Sequence, residues 1–288
     1  MLEIGGTGLI STGIIRQLVA SGHDVTCLTR GETSANLPDA VKFITGDRND
    51  DSVLAEAAQA QRFECVIDMV CFTPAQKRAT IDAFAGNVEQ YVFCSTVDVY
   101  HRPVRRNPVT QGAPRTVDLD LPPVSKYGSD KGAAENALFR ADERRDSVEG
   151  FNVTIIRPWS TYGEGGSVLP TFGSSTYYLD RIRTGKPIIV HGDGSSLWGP
   201  CHRDDVAAAF VGAVGNESAY GNAYHVTSEE VMAWDQYHRI VADVLDAPEP
   251  EFVHIPTELS SEGRTRPYGY ARCPLSIQHG FRQRQRSP

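Results

Sequence analysis

The chain has 288 residues, of which 40% are hydrophobic and 22% charged, and its formal net charge is −8 at pH 7. A chain of this length can bury a large core, and the excess of acidic residues argues against a nucleic-acid partner. No apolar run approaches the roughly 20 residues that span a bilayer, and the first residues lack a basic segment followed by a cleavage site. We therefore expect a cytoplasmic protein with no membrane segment.

The six cysteines are scattered along the chain and form no C-x-x-C pair. Several fall inside apolar runs, which is typical of buried free thiols rather than of disulfides or metal ligands. We expect no metal site.

The first half of the chain alternates strand-like and helix-like segments. Apolar or β-branched runs of strand length lie at 1–4, 25–29, 41–45, 65–70 and 91–94, with helix-like segments at 9–21, 51–61 and 74–85 between them. Nearly continuous apolar strands that alternate with helices indicate a parallel sheet covered on both faces. The predicted fold class is α/β with a doubly wound parallel sheet, whose ligand binds at the carboxyl ends of the strands.

The second half contains shorter segments. Residues 102–125 include five prolines and read as a loop; a helix at 126–145 and a strand at 152–156 follow. After Pro158 come strands at 187–190 and 223–227 and helices at 206–214 and 234–245. We interpret 1–158 as the large domain, to which part of the later chain returns, and 159–262 as a smaller lobe. Residues 263–288 hold arginines but no acidic residue, which indicates a poorly ordered tail or a loop that packs on the body.

A glycine-rich turn, Gly5-Gly6-Thr7-Gly8, joins the first strand to the first helix. Such a turn presents free backbone N–H groups and the positive end of a helix dipole, where a pyrophosphate can bind. Gly5 can adopt a backbone conformation that is closed to other residues, and Gly8 lets phosphates approach without a Cβ in the way.

Tyr127 and Lys131 lie four residues apart, on one face of the predicted helix. A lysine ammonium near a phenol favours the phenolate, so this tyrosine could exchange a proton with a substrate hydroxyl. Ser95 and Thr96 directly follow the strand at 91–94, at the edge of the sheet where a ligand binds.

Together, Gly5-Gly6-Thr7-Gly8, Ser95-Thr96, Tyr127-x-x-x-Lys131 and Arg157-Pro158 resemble the extended short-chain dehydrogenase/reductase family, in its nucleotide-sugar epimerase/dehydratase branch. The resemblance implies a Rossmann-type domain that binds a nicotinamide dinucleotide and a C-terminal substrate lobe. It implies that Tyr127 is the acid/base, Lys131 its electrostatic partner, and Thr96 or Ser95 the hydroxyl that aligns the substrate. The cofactor contacts that it implies are Gly5, Thr7, Gly8, Leu9, Ile10, Arg30, Asp47, Arg48, Val70, Cys71, Ser95, Tyr127, Lys131 and Pro158.

Two departures from the family pattern fall near the glycine-rich turn. Ser11 replaces the third glycine, whose role is close packing of the helix on the strand. Glu3 lies in what should be a buried central strand.

The choice of cofactor depends on the end of the second strand. NAD enzymes place an acidic residue there for the ribose 2′-hydroxyl, whereas an arginine suits a 2′-phosphate. Arg30 favours NADP, while Glu32 two residues later leaves NAD open.

The residues after Thr96 bear on the type of reaction. The sugar dehydratases of the family carry Asp-Glu at this point, but here the pair is Val97-Asp98. We therefore favour an epimerase that acts on a nucleotide-activated sugar, with an NADPH-dependent carbonyl reductase or a sugar dehydratase as alternatives.

A different class of function is an RNA-binding protein that kept the fold, like the chloroplast stem-loop binding proteins. The negative charge and the Tyr127/Lys131 pair favour an enzyme over this alternative. By resemblance to the family, the helices at 74–85 and 126–145 could also form the interface of a homodimer.

Overall fold

A computed structural model describes residues 1–102, 104, 106, 108–119, 121, 125–146, 150–166, 168 and 177–256. The predicted tail, 263–288, lies outside the described residues, as does Cys273. The other five cysteines are buried and free, as predicted.

The secondary structure follows the predicted alternation closely. The strands are β1 (Leu2–Ile4), β2 (Thr26–Thr29), β3 (Lys42–Thr45), β4 (Cys65–Asp68), β5 (Gln90–Cys94), β6 (Asn152–Pro158), β7 (Thr161–Tyr162), β8 (Ile188–His191), β9 (Leu197–Trp198), β10 (Cys201–His202), β11 (Asn222–Val226), β12 (Met232–Ala233) and β13 (Phe252–Ile255). The helices are α1 (Leu9–Ala20), α2 (Asp51–Ala60), α3 (Pro74–Phe84), α4 (Lys126–Asp142), α5 (Tyr177–Arg183), α6 (Arg203–Ala213) and α7 (Trp234–Val244).

The chain divides into two compact units, which we call unit 1 (1–101, 114–161 and 201–226) and unit 2 (102–113, 162–200 and 227–288). Segment 201–226 of the predicted smaller lobe therefore lies in unit 1, and segment 102–113 of the predicted large domain lies in unit 2. The reason for the first assignment is structural: β11 pairs with β6 in parallel register, and α6 packs against α1.

Unit 1 is built on a seven-stranded sheet in the order β11-β6-β5-β4-β1-β2-β3. Each pair whose register is known is parallel. The chain runs outward from β1 in one direction to β3 and in the other through β4, β5 and β6. The order reverses at β1 and β4, so their carboxyl ends form the crevice in which α/β sheets bind ligands. The fold is the predicted doubly wound α/β sheet of the Rossmann type.

Apolar side chains cover both faces of this sheet. On one face, α1 and α6 pack against β2, β4 and β5 through Ile14, Ile15, Leu18, Val206 and Phe210. On the other face, α2, α3 and α4 contribute Leu54, Phe84, Ala134, Leu138 and Ala141. Burial of both faces explains why the strands are nearly continuous apolar runs.

Unit 2 has two small two-stranded sheets, β8 with β13 in parallel and β9 with β12 antiparallel. Its interior is aromatic: the Trp198 and Trp234 rings lie 4.5 Å apart, and His191 meets Trp234 edge-on at 4.9 Å. Burial lowers the pKa of His191 to about 4, so this imidazole is neutral at pH 7.

The central strand contains one charged residue, Glu3, which is only 1% exposed. Neither carboxyl oxygen has a hydrogen-bond partner of good geometry among the described residues. Burial raises the pKa of Glu3 well above its usual 4.5, and the Ser11 hydroxyl beside it only partly offsets this. The side chain is therefore a neutral carboxylic acid in the folded protein over a wider pH range than in the unfolded chain.

Glu3 should make the protein less stable as the pH rises above about 4.5, because the unfolded chain then releases a proton that the folded state retains. We expect Glu3→Val to raise the free energy of unfolding by about 1–3 kcal/mol at pH 8, and by less at pH 5. Urea denaturation at both pH values measures the difference. The exposed Glu56→Gln serves as a control and should change stability by less than about 0.5 kcal/mol at either pH. A gain from Glu3→Val that does not depend on pH would contradict this account.

Candidate active site

The glycine-rich turn lies at the carboxyl end of β1, where the strand order reverses. Gly5 has φ +96°, and a Cβ on it would lie 2.5 Å from a Val70 methyl group. Its N–H donates to the Leu28 carbonyl oxygen at 3.0 Å, which holds the turn on β2. Both the conformation and the contact require glycine at this position.

Gly8 is the N-cap of α1, and no side chain caps this end of the helix. The first-turn N–H groups of α1 therefore need an acceptor from elsewhere. A Cβ on Gly8 would make ordinary contacts at 3.4 Å or more, so the fold itself does not require glycine here. An uncapped helix start next to a bare glycine fits a bound diphosphate.

A cleft of about 480 Å³ opens at this turn, entirely within unit 1. Seven of the predicted cofactor residues line it: Gly5, Thr7, Gly8, Arg30, Asp47, Arg48 and Val70. Residues that the sequence did not single out also line it, among them Thr33, Asn49, Phe72 and Gln76. The volume is within the usual range for cofactor sites.

A chain of hydrogen bonds runs along one rim of the cleft. Asp47 Oδ1 accepts from the backbone N–H and the side-chain amide of Asn49, at 2.9 and 2.8 Å. Asn49 Oδ1 accepts from Gln76 Nε2 at 2.7 Å, and Gln76 Oε1 accepts from the backbone N–H groups of Phe72 and Thr73. Thr73 and Gln76 form a capping box at the start of α3. The T-x-x-Q spacing could have revealed this cap in the sequence.

Arg30 lies at the end of β2 and lines the cleft. Its guanidinium pairs with Glu32 at 2.9 Å, and both side chains are largely exposed. An exposed pair of this kind contributes little to stability, so it is available for exchange with a ligand.

The candidate catalytic residues meet where α4 begins. Ser125 caps the helix by accepting from the Gly128 N–H at 3.0 Å. A Cβ on Gly128 would lie only 2.1 Å from the Asp98 carbonyl oxygen, so the first turn of α4 lies directly against the short 3-10 turn 97–99. Thr96 is the N-cap of that turn. This close approach brings Thr96 and Tyr127 into the same region.

Tyr127 is 39% exposed, whereas Lys131 is buried. Lys131 Nζ lies 5.9 Å from the centre of the Tyr127 ring and donates to the Cys94 carbonyl oxygen at 2.7 Å. The rings of Phe72 and Phe93 lie 5.0 and 4.7 Å from the same ammonium. Burial lowers the pKa of Lys131, and the nearby Cys94, Cys71 and Asp68 act in the opposite direction.

The two candidate hydroxyls, of Ser95 and Thr96, lie in different environments. The Ser95 hydroxyl is buried and donates to Glu135 Oε1 at 2.5 Å. Glu135 also accepts from Arg157 Nε and Nη2, at 2.9 and 2.7 Å. Thr96 is only half-buried, and its oxygen accepts from the Asp98 N–H at 3.2 Å. Ser95 is thus part of a buried network, and Thr96 faces the more accessible side.

Seven predicted cofactor residues do not line the cleft: Leu9, Ile10, Cys71, Ser95, Tyr127, Lys131 and Pro158. Ser95, Tyr127 and Lys131 lie at the candidate catalytic group described above. Ile10 packs against the core on the α1 face, and Leu9 begins α1. Cys71 is fully buried, and Pro158 ends β6.

Arg48 lines the cleft, although most of its side chain is buried. Its Nη2 donates to Asp68 Oδ2 at 3.1 Å and to Thr80 Oγ1 at 2.7 Å. Asp68 was not among the predicted site residues, and its only signal in the sequence is its place at the end of a buried strand.

The profile of the NAD-dependent epimerase/dehydratase family matches residues 1–226. The chain belongs to this family. It is similar to 2′-dehydrokanamycin reductase of Streptomyces kanamyceticus, with 28% identity over 91% of this chain and 71% of the relative. It is also similar to the chloroplast stem-loop binding protein of 41 kDa b of Arabidopsis thaliana, with 26% identity over 98% of this chain and 71% of the relative.

Solved structures share the fold. A UDP-glucose 4-epimerase of Thermus thermophilus, in complex with NAD, superimposes with a TM-score of 0.69 and 21% identity, over 88% of this chain and 86% of that chain. The predicted resemblance to the extended short-chain dehydrogenase/reductases is confirmed, and the protein is an enzyme of that type, dependent on a nicotinamide dinucleotide.

Gly8 provides a test of the cofactor site that is separate from folding. We expect Gly8→Ala to lower the affinity for NADPH or NADH at least tenfold, which is about 1.4 kcal/mol, because the new Cβ occupies the approach to the α1 N–H groups. Its thermal stability should stay close to that of the parent protein, whereas Gly5→Ala should unfold at lower temperature. Calorimetric titration and thermal unfolding measure the two effects. Gly212→Ala, a control in open space on α6, should change neither, and unchanged affinity in Gly8→Ala would exclude this site.

Proposed function

We propose that the protein is an NADPH-dependent reductase that converts a keto group of a sugar into a secondary alcohol, by hydride transfer at the carboxyl edge of the unit 1 sheet. One observation carries the proposal. The partly exposed phenol of Tyr127 lies beside the buried ammonium of Lys131 and next to the turn that Thr96 caps, at the same sheet edge as the dinucleotide cleft.

Each side chain has a role that its surroundings support. Tyr127 donates the proton that the carbonyl oxygen needs as it becomes an alcohol. Lys131 stabilises the phenolate that remains, because its ammonium is held by the Cys94 carbonyl within reach of the ring. Thr96, rather than Ser95, aligns the substrate oxygen, because Glu135 already accepts from the Ser95 hydroxyl. When bound, the nicotinamide dinucleotide supplies the hydride.

Two observations favour NADP and net reduction. Arg30 lies on the cleft with an exposed guanidinium that suits a 2′-phosphate. A relative that is 28% identical is named as a reductase.

The second candidate is the one that the sequence analysis favoured, an epimerase acting on a nucleotide-activated sugar. The likeness to the UDP-glucose 4-epimerase fold supports it. The Thr96–Tyr127–Lys131 set would serve equally well, since an epimerase returns the hydride that it removes. A dehydratase needs an additional acid and base next to Thr96, where this chain has Val97 before Asp98.

RNA binding receives support from the name of one relative. The net charge of −8 and the Tyr127–Lys131 arrangement argue against RNA binding.

No helix among the described residues has the length and apolar character to cross a membrane. Cytoplasmic location and a homodimer stay predictions of the sequence.

Tyr127→Phe tests the reaction. With NADPH and a panel of keto sugars, followed at 340 nm, we expect kcat to fall at least about 100-fold, the usual contribution of a general acid. The affinity for NADPH should change by less than about threefold, because the ring remains. Turnover close to that of the parent protein would exclude the proposed role of Tyr127.

The cofactor balance separates the two candidates. A reductase oxidises one NADPH for each product molecule, whereas an epimerase converts UDP-glucose or a related sugar with no net change at 340 nm. Product formation without net oxidation of NADPH would replace the first proposal by the second.

Arg30→Ala tests cofactor choice. We expect the affinity for NADPH to fall about tenfold or more, since a hydrogen bond to a charged group contributes about 1.5–3 kcal/mol, and the affinity for NADH to stay nearly constant. Competitive binding of the two cofactors measures the ratio. Arg62→Ala, an exposed arginine outside the cleft, is the matched control. Equal losses for both cofactors would contradict the assignment of NADP.

A further inference from the structure

Behind the cleft lies a buried group of charges that the proposed reaction does not use. Asp68, at the end of β4, and Lys77, on α3, are both fully buried. Lys77 Nζ lies 3.7 Å from Asp68 Oδ2 and donates to the Tyr91 hydroxyl at 2.7 Å. Tyr91 in turn donates to Asp68 Oδ2 at 2.5 Å, and Arg48 donates to the same oxygen.

Lys77 is linked to the catalytic lysine through one aromatic ring. Lys77 Nζ lies 4.2 Å from the centre of the Phe93 ring, and Lys131 Nζ lies 4.7 Å from it. The buried ammonium groups of Lys77 and Lys131 therefore both lie against the Phe93 ring. Water cannot screen charges at this depth as it does at the surface.

The buried region around Asp68 holds more positive than negative charges. Arg48, Lys77 and Lys131 are cations, and Asp68 is the carboxylate among them. The Glu135 carboxylate does not compensate these cations, because it is engaged by Arg115 and Arg157. The titratable groups that act on Lys131 come from several elements around it: Cys94 on β5, Asp68 and Cys71 on and after β4, Lys77 on α3, and Glu135 on α4. The Tyr127 ring lies 5.9 Å from its Nζ.

We propose that Asp68 and Lys77 are positioning residues that set the pH at which Tyr127 exchanges its proton, with Lys77 favouring the phenolate and Asp68 opposing it. The inference rests on the proposed role of Tyr127. It extends the charge that acts on the phenol from Lys131 alone to a buried pair on β4 and α3, neither of which touches the cleft.

Burial lowers the pKa of Lys77, whereas Cys71 and Asp68 act in the opposite direction, and the Asp68 carboxylate 3.7 Å away favours the ammonium form. Burial would raise the pKa of Asp68, but Lys77, Arg48 and the Tyr91 hydrogen bond outweigh it and lower that pKa. Burial and the charge of Asp68 raise the pKa of Tyr91 well above its usual value. Tyr91 therefore stays a phenol, and Asp68 stays a carboxylate at neutral pH.

The test is a titration that needs no substrate. The absorbance of tyrosinate at 295 nm is followed against pH, and the curve of the same protein carrying Tyr127→Phe is subtracted, which isolates Tyr127. Tyr91 does not interfere because burial keeps it protonated, and burial raises the pKa of Tyr100 to about 12.

We expect Lys77→Met to move the Tyr127 midpoint up by about half a pH unit to one unit, and Asp68→Asn to move it down by a similar amount. Shifts of this size correspond to a charge roughly 12–24 Å away at an effective dielectric constant of about 20. Lys77→Arg keeps the charge and should restore the parent midpoint. Lys126→Met removes a cation next to Tyr127 in sequence, but Lys126 is 83% exposed, so the midpoint should move by less than about 0.2 units.

Shifts in the same direction for Lys77→Met and Asp68→Asn, or shifts no larger than that of Lys126→Met, would overturn the inference. If Asp68→Asn does not fold, the comparison of Lys77→Met, Lys77→Arg and Lys126→Met decides the question alone. The two proposals can fail separately. Loss of turnover in Tyr127→Phe with no midpoint shift would refute only the role of the pair, and a shift with full turnover in Tyr127→Phe would refute only the catalytic role of Tyr127.

Discussion

The Asp68 carboxylate is the interaction on which the site depends. It takes hydrogen bonds from Arg48, Tyr91 and the Val70 N–H, and it lies within ion-pair distance of Lys77. These partners come from the loop after β3, from β5, from the segment after β4 and from α3. A buried carboxylate is stable only when its partners compensate for the loss of water. The need to satisfy this one group therefore fixes four elements around the cleft.

Close backbone approaches place the reactive groups relative to this frame. Gly5 lets the turn after β1 pass Val70, and Gly128 lets α4 pass the Asp98 carbonyl oxygen. Without the second approach, Tyr127 and Thr96 could not share one end of the sheet. Lys131 then reaches the Cys94 carbonyl at the end of β5, so α4 and the end of β5 together define the position of the phenol. Rigid elements of this kind hold catalytic geometry better than loops do.

The same geometry can serve a reductase or an epimerase, because both move a hydride between the nicotinamide and a sugar carbon that is a ketone in one state and a secondary alcohol in the other. What differs is whether the cofactor leaves after each turnover. Features of the cleft at the glycine-rich turn, such as the exposed Arg30–Glu32 pair, bear on that question more than Thr96, Tyr127 and Lys131 do. The substrate is a separate matter, since family membership leaves it open.

Much of the fold could be predicted from local pattern. The alternation of apolar strands and helices determined the parallel sheet, and the glycine-rich turn and the Tyr127–Lys131 spacing pointed to its ligand edge, because these signals need only a few consecutive residues. The sequence did not show that Ser95 is engaged by Glu135, that Asp68 and Lys77 form a buried pair, or that Phe72 and Gln76 line the cleft. Those contacts join residues that are far apart in the chain, and only the register of the strands and the packing of α3 and α4 decide which side chains meet.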